Sequence, residues 1–346
     1  MSDLYSPAML IQVVNAEDIQ WQINSLFINL FFKRVVTFET RDIALDIIDD
    51  PDIPMAAFCS PMVGSKVSRD EGYESKVIRP GYMKPKSSID PNKIAVRQPG
   101  VSPEQFNAYS SRSFKIKRAL VRQAQAIRAR IEWLAVQAVT TGKNIIEGDG
   151  IERYELDWNI KPQNIITQFG GTEWSGRDLS TFDPNDDIEE YAEISEGTTN
   201  IIVMGRNVWK KYRAFKAVKD CLDTRRGSNS VLETALKNLG DSVSFKGYVG
   251  DVAIVVYSGR YTDEDGTEKY FLDPDLMVLG NTSLQGIVAY GGIQDPELIR
   301  MGLTKAELAP KNYIVPGDPA IEYVQTHSAP QPIPARINRF VTVRIG

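Results

Sequence analysis

Histidine and cysteine are scarce in this chain of 346 residues, which has one histidine, His327, and two cysteines, Cys59 and Cys221. A catalytic relay that uses histidine would depend on His327, which lies in the loop-like sequence 326–330 and which we interpret as an ordinary surface or interface residue. The two cysteines form no CxxC spacing, so neither a zinc site nor a disulfide framework is expected. These features favour a reducing compartment.

Nucleotide and metal signatures are missing as well. The sequence TGKN at 141–144 lacks the features of a phosphate-binding loop, and no GxGxxG motif follows a predicted strand. The acidic segment 183–194 begins like a calcium loop, but isoleucines stand where that loop requires glycine and glutamate. We expect instead that Asp183 caps a helix whose first residue is Pro184. The sequence predicts no metal and no cofactor, and a protein that is not an enzyme.

Long apolar runs are also absent. No stretch approaches the roughly 18 apolar residues of a membrane span, and no basic region followed by an apolar run marks a signal peptide, so we expect a soluble protein made in the cytoplasm. A net charge of −5 argues against a surface built entirely for nucleic acid. With 42% hydrophobic and 25% charged residues, the chain has the composition of a folded protein with one large or two modest domains.

The order of patterns along the chain predicts an α+β protein of five segments. Apolar residues recur every three or four positions from Ile116 to Ala138, which indicates one face of a long helix. The aromatic residues near Phe27 and Phe31 cannot be buried locally, so they must dock elsewhere on this chain or on another chain. The predicted segments are an extended arm (1–56), a protruding hairpin (57–100), a domain with the long helix (about 102–141) and a second hairpin (101–180), a mixed α/β domain (181–312) and a returning extended segment (313–346). Strands are expected near 62–69, 73–79 and 93–97 in the protruding hairpin, and at the apolar runs 200–204 and 252–257 in the α/β domain.

Charge is distributed unevenly over these segments. Residues 1–56 contain nine acids and three bases, residues 57–100 contain eight bases and four acids, and residues 112–130 contain seven bases and no acid. One interpretation is a solvated helix face. The other is that the acidic arm meets the basic hairpin and helix between subunits, or that the helix faces DNA. The candidate residues are Lys66, Arg69, Lys76, Arg79, Lys84 and Lys86 in the hairpin, and Arg112, Lys115, Lys117, Arg118, Arg122, Arg128 and Arg130 on the helix.

A polar loop at 223–230 separates two predicted helices, at about 207–222 and 230–239. Its two arginines, Arg225 and Arg226, are candidates for binding an anion or for lining an opening between subunits. The alternative is an ordinary loop in which Ser230 begins a capping box.

Several runs of sequence resemble one family closely. They are TQFGGTEWS (167–175), STFDP (180–184), LDTRRGSNS (222–230), GDVAIVVYSG (250–259) and MVLGNT (277–282). These runs, and the order of the five segments, are similar to the major capsid proteins of phage lambda type (protein E family), which have the Hong Kong 97-type capsid fold. In that fold the segments are called the N-arm (1–56), the E-loop (57–100), the P-domain with its spine helix, the A-domain and the C-terminal return to the P-domain.

The resemblance implies a structural function. Copies would form hexamers and pentamers of an icosahedral shell that encloses the genome of a tailed double-stranded DNA phage, with the E-loop over a neighbouring subunit and residues 225–226 toward the capsomer axis. The implied partners are a scaffold protein, a decoration or cementing protein at three-fold positions, a portal at one vertex and packaged DNA, with no membrane. The implied location is the virion, after assembly in the host cytoplasm. Two alternatives are an encapsulin-like cargo compartment and, disfavoured by the single histidine, a hydrolase or transferase.

Overall fold

A long helix laid across a six-stranded sheet is the central feature of the chain in a computed structural model, which describes residues 7, 9–11, 25–48, 73–90, 107–221, 242–318 and 320–346. The helices are α1 (Leu26–Phe31), α2 (Ala108–Thr141), α3 (Pro184–Ile194), α4 (Arg206–Tyr212), α5 (Lys216–Cys221) and α6 (Pro296–Arg300). The strands are β1 (Arg34–Thr37), β2 (Ile43–Ile48), β3 (Tyr73–Ile78), β4 (Lys86–Ile89), β5 (Lys143–Gly148), β6 (Ile151–Asp157), β7 (Ile165–Thr167), β8 (Ile201–Met204), β9 (Val243–Val249), β10 (Val252–Tyr257), β11 (Arg260–Thr262), β12 (Glu268–Tyr270), β13 (Leu276–Gly280), β14 (Ile287–Tyr290), β15 (Ala309–Val315), β16 (Ile321–His327), β17 (Pro330–Ile333) and β18 (Val341–Arg344).

The large sheet has the strand order β7-β18-β13-β8-β10-β9. Alternate residues of its central strands point to opposite faces, so Ile201 and Val203 pack toward α2 while Ile202 and Met204 pack toward α3, α4 and α5. Because both faces are covered, β8 and β10 are apolar at every position and show no alternation. This explains why their sequences read as short continuous apolar runs.

Smaller sheets attach the remaining segments to this centre. The arm strand β1 pairs parallel with β14, which also pairs with β17, and β4 completes a sheet with β16 and β15. The hairpins β5–β6 and β11–β12 flank α2. No helix in the described ranges has an apolar stretch long enough to cross a bilayer.

Several predictions made from the sequence are confirmed. The spine helix α2 spans Ala108–Thr141, although the expected start near residue 102 lies outside the described residues. The second hairpin turns at residues 149–150, as its glycines predict. The Asp183 carboxylate accepts the Asn185 N–H at 2.9 Å, and Pro184 is the first helical residue of α3. The strands at 201–204 and 252–257 occur as expected.

The expectation of a wholly extended arm is wrong at α1. Leu26, Phe27, Leu30 and Phe31 lie on one face of this short helix and are buried in the main core of their own chain, together with Phe32. Six residues are too few to produce a detectable helical period, so only tertiary packing reveals the helix.

The strand predicted near 73–79 occurs as β3 (Tyr73–Ile78), and its partner among the described residues belongs to the arm. β3 pairs antiparallel with β2, in the register Ile43↔Ile78 to Ile48↔Tyr73, so the ladder crosses the boundary placed at 56–57. β4 instead joins β16, and both Ile78 and Ile89 are buried. The predicted strands at 62–69 and 93–97 and the helix at 230–239 lie outside the described residues. The single helix expected from 207 is interrupted at 213–215 and forms α4 and α5.

Candidate assembly surfaces

A buried carboxylate fastens the arm to the spine helix. Glu132 is the only acidic residue in α2 and is fully buried. Its two oxygens accept the N–H groups of Phe27 at 2.8 Å and Ile28 at 3.1 Å, which belong to the first turn of α1 and therefore have no acceptor within that helix. The hydroxyl of Tyr257, at the end of β10, donates a third hydrogen bond at 3.1 Å. One side chain thus joins the arm, the helix and the sheet.

The environment of Glu132 favours its neutral form. Burial raises the pKa of Glu132 to about 7, although the hydrogen bonds from Phe27, Ile28 and Tyr257 act in the opposite direction. The arm is therefore held by a group whose protonation changes near neutral pH. A solitary acid among the apolar residues Ile131 and Leu134 is a signal that could have identified this anchor from the sequence.

The predicted basic residues of the spine helix differ in their surroundings. Lys117, Arg118 and Arg122 are exposed and form no ion pair with the described residues, and Lys115 is half-buried. Lys115, Arg118 and Arg122 follow the i, i+3, i+7 spacing that places side chains on one helix face. The exposed basic surface of α2 therefore contains fewer residues than the seven that the sequence predicted.

Three of the helix bases are accommodated within the chain, which corrects the expectation of seven uncompensated charges. Arg112 donates two hydrogen bonds to the Glu322 carboxylate, one of them from Nε at 2.8 Å. Arg130 pairs with Glu264 at 3.0 Å. Arg128 is partly buried, and this burial lowers the pKa of its guanidinium. The partners of Arg112 and Arg130 are distant in sequence, so the local count of charges did not reveal them.

The E-loop bases are likewise partly engaged. Arg79 pairs with Asp42 of the arm at 2.8 Å, and Lys76 donates a hydrogen bond to the backbone carbonyl of Asp157. Lys86 lies over the ring of Tyr323 with its Nζ 3.7 Å from the centroid, a cation–π contact. The exposed Lys84 shows no such contact with the described residues. The other candidates, Lys66, Arg69, Arg225 and Arg226, lie outside the described residues.

The interpretation of His327 as a loop residue is wrong, because it is a buried residue at the end of β16. Tyr82 Oη accepts the Gln294 N–H at 3.3 Å and shares a hydrogen bond with His327 Nδ1 at 2.8 Å. On the other side of the ring, Nε2 lies 3.9 Å from Asp295 Oδ2. Burial lowers the pKa of His327, while nearby Asp295 acts against that shift and Lys311 adds to it. The cluster joins the base of the E-loop to β16 and α6.

None of these arrangements is a metal centre. Within the described ranges, no group of three or more histidine, cysteine, aspartate or glutamate side chains is placed to hold an ion. The polar groups that come together instead connect segments of the fold.

Comparison with known proteins finds relatives that match almost the entire chain. A model of the family described as phage major capsid protein E matches residues 6–345. The major capsid protein of Escherichia phage lambda is 42% identical over 336 residues, which cover 97% of this chain and 98% of that protein. The P21 prophage-derived major head protein of Escherichia coli O6:H1 is 43% identical over 322 residues, 93% of this chain and 94% of that one.

The fold also matches that of a solved capsid protein. The crystal structure of a prophage capsid protein from Escherichia coli CFT073 has 52% sequence identity and a TM-score of 0.85, with 99% of each chain covered. The likeness to a solved encapsulin of Synechococcus elongatus is distant, at 9% identity, and does not support the cargo-compartment alternative. The expected Hong Kong 97-type capsid fold is thus confirmed, and the chain belongs to the phage major capsid protein E family.

Proposed function

We propose that copies of this chain form the hexamers and pentamers of an icosahedral shell that encloses the double-stranded DNA of a tailed bacteriophage. The observation that carries the proposal is the match over 99% of the chain, at a TM-score of 0.85, to a prophage capsid protein. As a major capsid protein the chain is part of the virion, and its family is not an enzyme class. We place its assembly in the cytoplasm of the host, and we assign it no catalytic role and no cofactor.

The resemblance to the lambda type supports four partners besides further copies of the chain. They are a scaffold protein during assembly, a portal at one vertex, a decoration protein at the three-fold positions and the packaged DNA. The DNA contact would be non-specific, because a shell must enclose any sequence and a net charge of −5 provides only local basic surface.

The exposed bases of the spine helix support one contact between copies. Lys117, Arg118 and Arg122 lie within two turns of α2 and repel one another, so a partner of opposite charge lowers their free energy. The N-arm, with nine acids and three bases, has that charge. We assign these three residues to contact with the N-arm of a neighbouring copy, in preference to DNA, because the resemblance implies a shell that assembles with a scaffold and expands as DNA enters.

Expression of the chain with its scaffold protein, followed by negative-stain microscopy, tests the proposed function. We expect thin closed shells built of pentamers and hexamers. A chain that remains a monomer, or that forms only one small ring under all conditions of scaffold and salt, contradicts the proposal. A matched sample without scaffold identifies how much of the assembly depends on that partner.

A further inference from the structure

The helix α3 presents a row of acidic side chains to solvent. The row lies opposite the buried residues Pro184 and Ile188. We call it the acidic stripe, and its exposed members are Asp186, Glu189, Glu190 and Glu193. The segment 183–196 contains seven acids and no base, so the stripe is not neutralised locally. The helix dipole favours Asp186 in the first turn but disfavours Glu193 in the last turn, so capping of α3 does not account for the whole stripe.

The neighbouring helix α4 presents a row of basic side chains of matching length. We call it the basic stripe, and its exposed members are Arg206, Lys210 and Arg213. Their i, i+4, i+7 spacing places them on one helix face, and each of the two stripes extends from i to i+7, about 10 Å along its helix. The segment 206–219 contains six bases and no acid. Arg206 is the first residue of α4, where the helix dipole disfavours a positive charge, so this stripe is not explained locally either.

The two stripes do not pair within one chain. Both helices pack on the same face of the large sheet, and they meet where the Tyr212 hydroxyl, on the buried face of α4, donates to Asn185 Oδ1 at 2.6 Å. The basic stripe lies instead on the side of Trp209, whose ring centroid is 5.7 Å from Lys246 Nζ of the edge strand β9. Among the described residues, no ion pair joins either stripe to an opposite charge. Like charges within each stripe therefore repel one another in the isolated chain.

Charge complementarity identifies a second copy of the chain as the partner. Each copy carries two exposed stripes of opposite charge and equal length, so the acidic stripe of one copy matches the basic stripe of another. Because each copy offers both stripes, the same contact can repeat from one copy to the next. A nucleic acid is a poorer partner, since the six bases of 206–219 lie in the same helix layer as the seven acids of 183–196, and this layer has no positive net charge.

We infer that the acidic stripe of α3 on one copy contacts the basic stripe of α4 on a neighbouring copy in the shell. This inference rests on the proposed assembly of the chain into a shell, and it names the residues of one contact between copies. The contact is separate from the one assigned to the exposed bases of the spine helix α2. It forms between exposed charges, so salt weakens it.

Reversal of charge tests the contact. The pair Lys210→Glu and Arg213→Glu reverses the basic stripe, and the pair Glu190→Lys and Glu193→Lys reverses the acidic stripe. We expect each pair to lower the yield of shells formed with scaffold at low salt by about tenfold or more, because like charges then face one another. A chain with all four changes should recover the yield, since its two stripes are again opposite in charge and its net charge is that of the unmodified chain.

The matched control is Arg300→Glu with Lys305→Glu, which changes the net charge as much as reversal of the basic stripe does, at two other exposed residues. This control should assemble like the unmodified chain. Thermal unfolding of all the unassembled chains should be unchanged, because the altered side chains are exposed. Normal shells from either reversed pair, or a loss that the four changes together do not restore, overturns the inference and leaves the proposed function intact. Failure of the unmodified chain to form shells contradicts the proposed function itself.

A cross-linking experiment tests which residues meet. Chains with Lys210→Cys and tagged chains with Glu190→Cys, both carrying Cys59→Ser and Cys221→Ser, are assembled together and treated with a short bismaleimide. We expect a linked dimer of one tagged and one untagged chain, which is absent when Lys305→Cys replaces Lys210→Cys. Absence of the mixed dimer, or equal linking through Lys305→Cys, overturns the assigned contact. Linking of Lys210→Cys to the scaffold protein in place of the tagged chain also counts against the inference.

Discussion

Glu132 accepts the backbone N–H of Phe27 at 2.8 Å across 105 residues of sequence, and this contact fixes where the arm meets the spine helix. The carboxylate replaces the acceptors that the first turn of a helix lacks, so it acts as a cap supplied by a distant element. Because the same group also receives the Tyr257 hydroxyl, loss of the contact affects the arm and the sheet together.

The stability of the unassembled chain should depend on pH through Glu132. Its pKa is about 7 in the folded chain and is near its ordinary value of 4.5 when unfolded, so the native state holds the proton more tightly. The contribution is fully present below pH 4.5 and is lost as the pH rises through about 7, a total of about 3 kcal/mol. Urea denaturation of the unmodified chain and of Glu132→Gln between pH 5 and pH 8 should show a stability difference that shrinks with rising pH. The exposed Glu152→Gln serves as the control, and parallel pH profiles for all three chains would contradict this role.

His327 should produce a pH dependence of opposite sign. Burial lowers its pKa in the folded chain, so the native state favours the neutral ring. Its contribution is present above the unfolded pKa of about 6.5 and is lost as the pH falls through the folded value. In the same denaturation experiment, His327→Gln should lose less stability than the unmodified chain when the pH is lowered from 7 to 5. An equal loss in both chains would show that the folded and unfolded states bind the His327 proton equally, and so would contradict a lowered pKa in the folded chain.

Arg112 should matter for folding and Arg118 should not. Glu322 is a mostly buried carboxylate that accepts hydrogen bonds from Arg112 and, at 2.9 Å, from Asn312 Nδ2. Replacement of Arg112 by alanine keeps the Asn312 contact and removes the positive charge beside the carboxylate. We expect a loss of about 2–3 kcal/mol in the free energy of unfolding, since removing one partner of a buried ion pair leaves an uncompensated charge. Arg118→Ala, which changes an exposed residue of the same helix, should stay within about 0.5 kcal/mol. Equal effects in urea titrations would contradict this distinction.

The exposed bases Lys117, Arg118 and Arg122 should act on assembly. Their joint replacement by glutamine should leave thermal unfolding unchanged, lower the shell yield at low salt and flatten its salt dependence, because the attraction to the acidic arm is removed. Light scattering at several salt concentrations measures the effect. Unchanged assembly would show that the three residues form a solvated helix face. Normal empty shells that retain less DNA would show that these residues contact the packaged DNA.

Local patterns in the sequence predicted the local structure well. The apolar period identified the spine helix, and Asp183 with Pro184 identified the start of α3, because both signals act within a few residues. Pairing between distant strands was not predictable in the same way. Nothing near β3 indicates that Ile78 pairs with Ile43 of the arm, since that choice depends on which apolar side chains share the core.

The charged surface illustrates the same limit. Counting bases along α2 identified a real excess, and three of its members, Lys117, Arg118 and Arg122, are exposed. Arg112 does not belong to that surface because Glu322, 210 positions later, comes to it through β16. The inter-subunit or DNA-facing roles of the exposed residues stay predictions.

The position of β18 constrains the order of events during synthesis. This strand lies between β7 and β13, so β7 lacks its partner in the sheet, and β13, which pairs with β8 on its other side, keeps one open edge until residue 344 has been synthesised. Until then both strands present open backbone edges, which are templates for misassociation. A chain that stops short of β18 therefore has an incomplete main sheet, and the exposed edges of that sheet make it prone to misassociation.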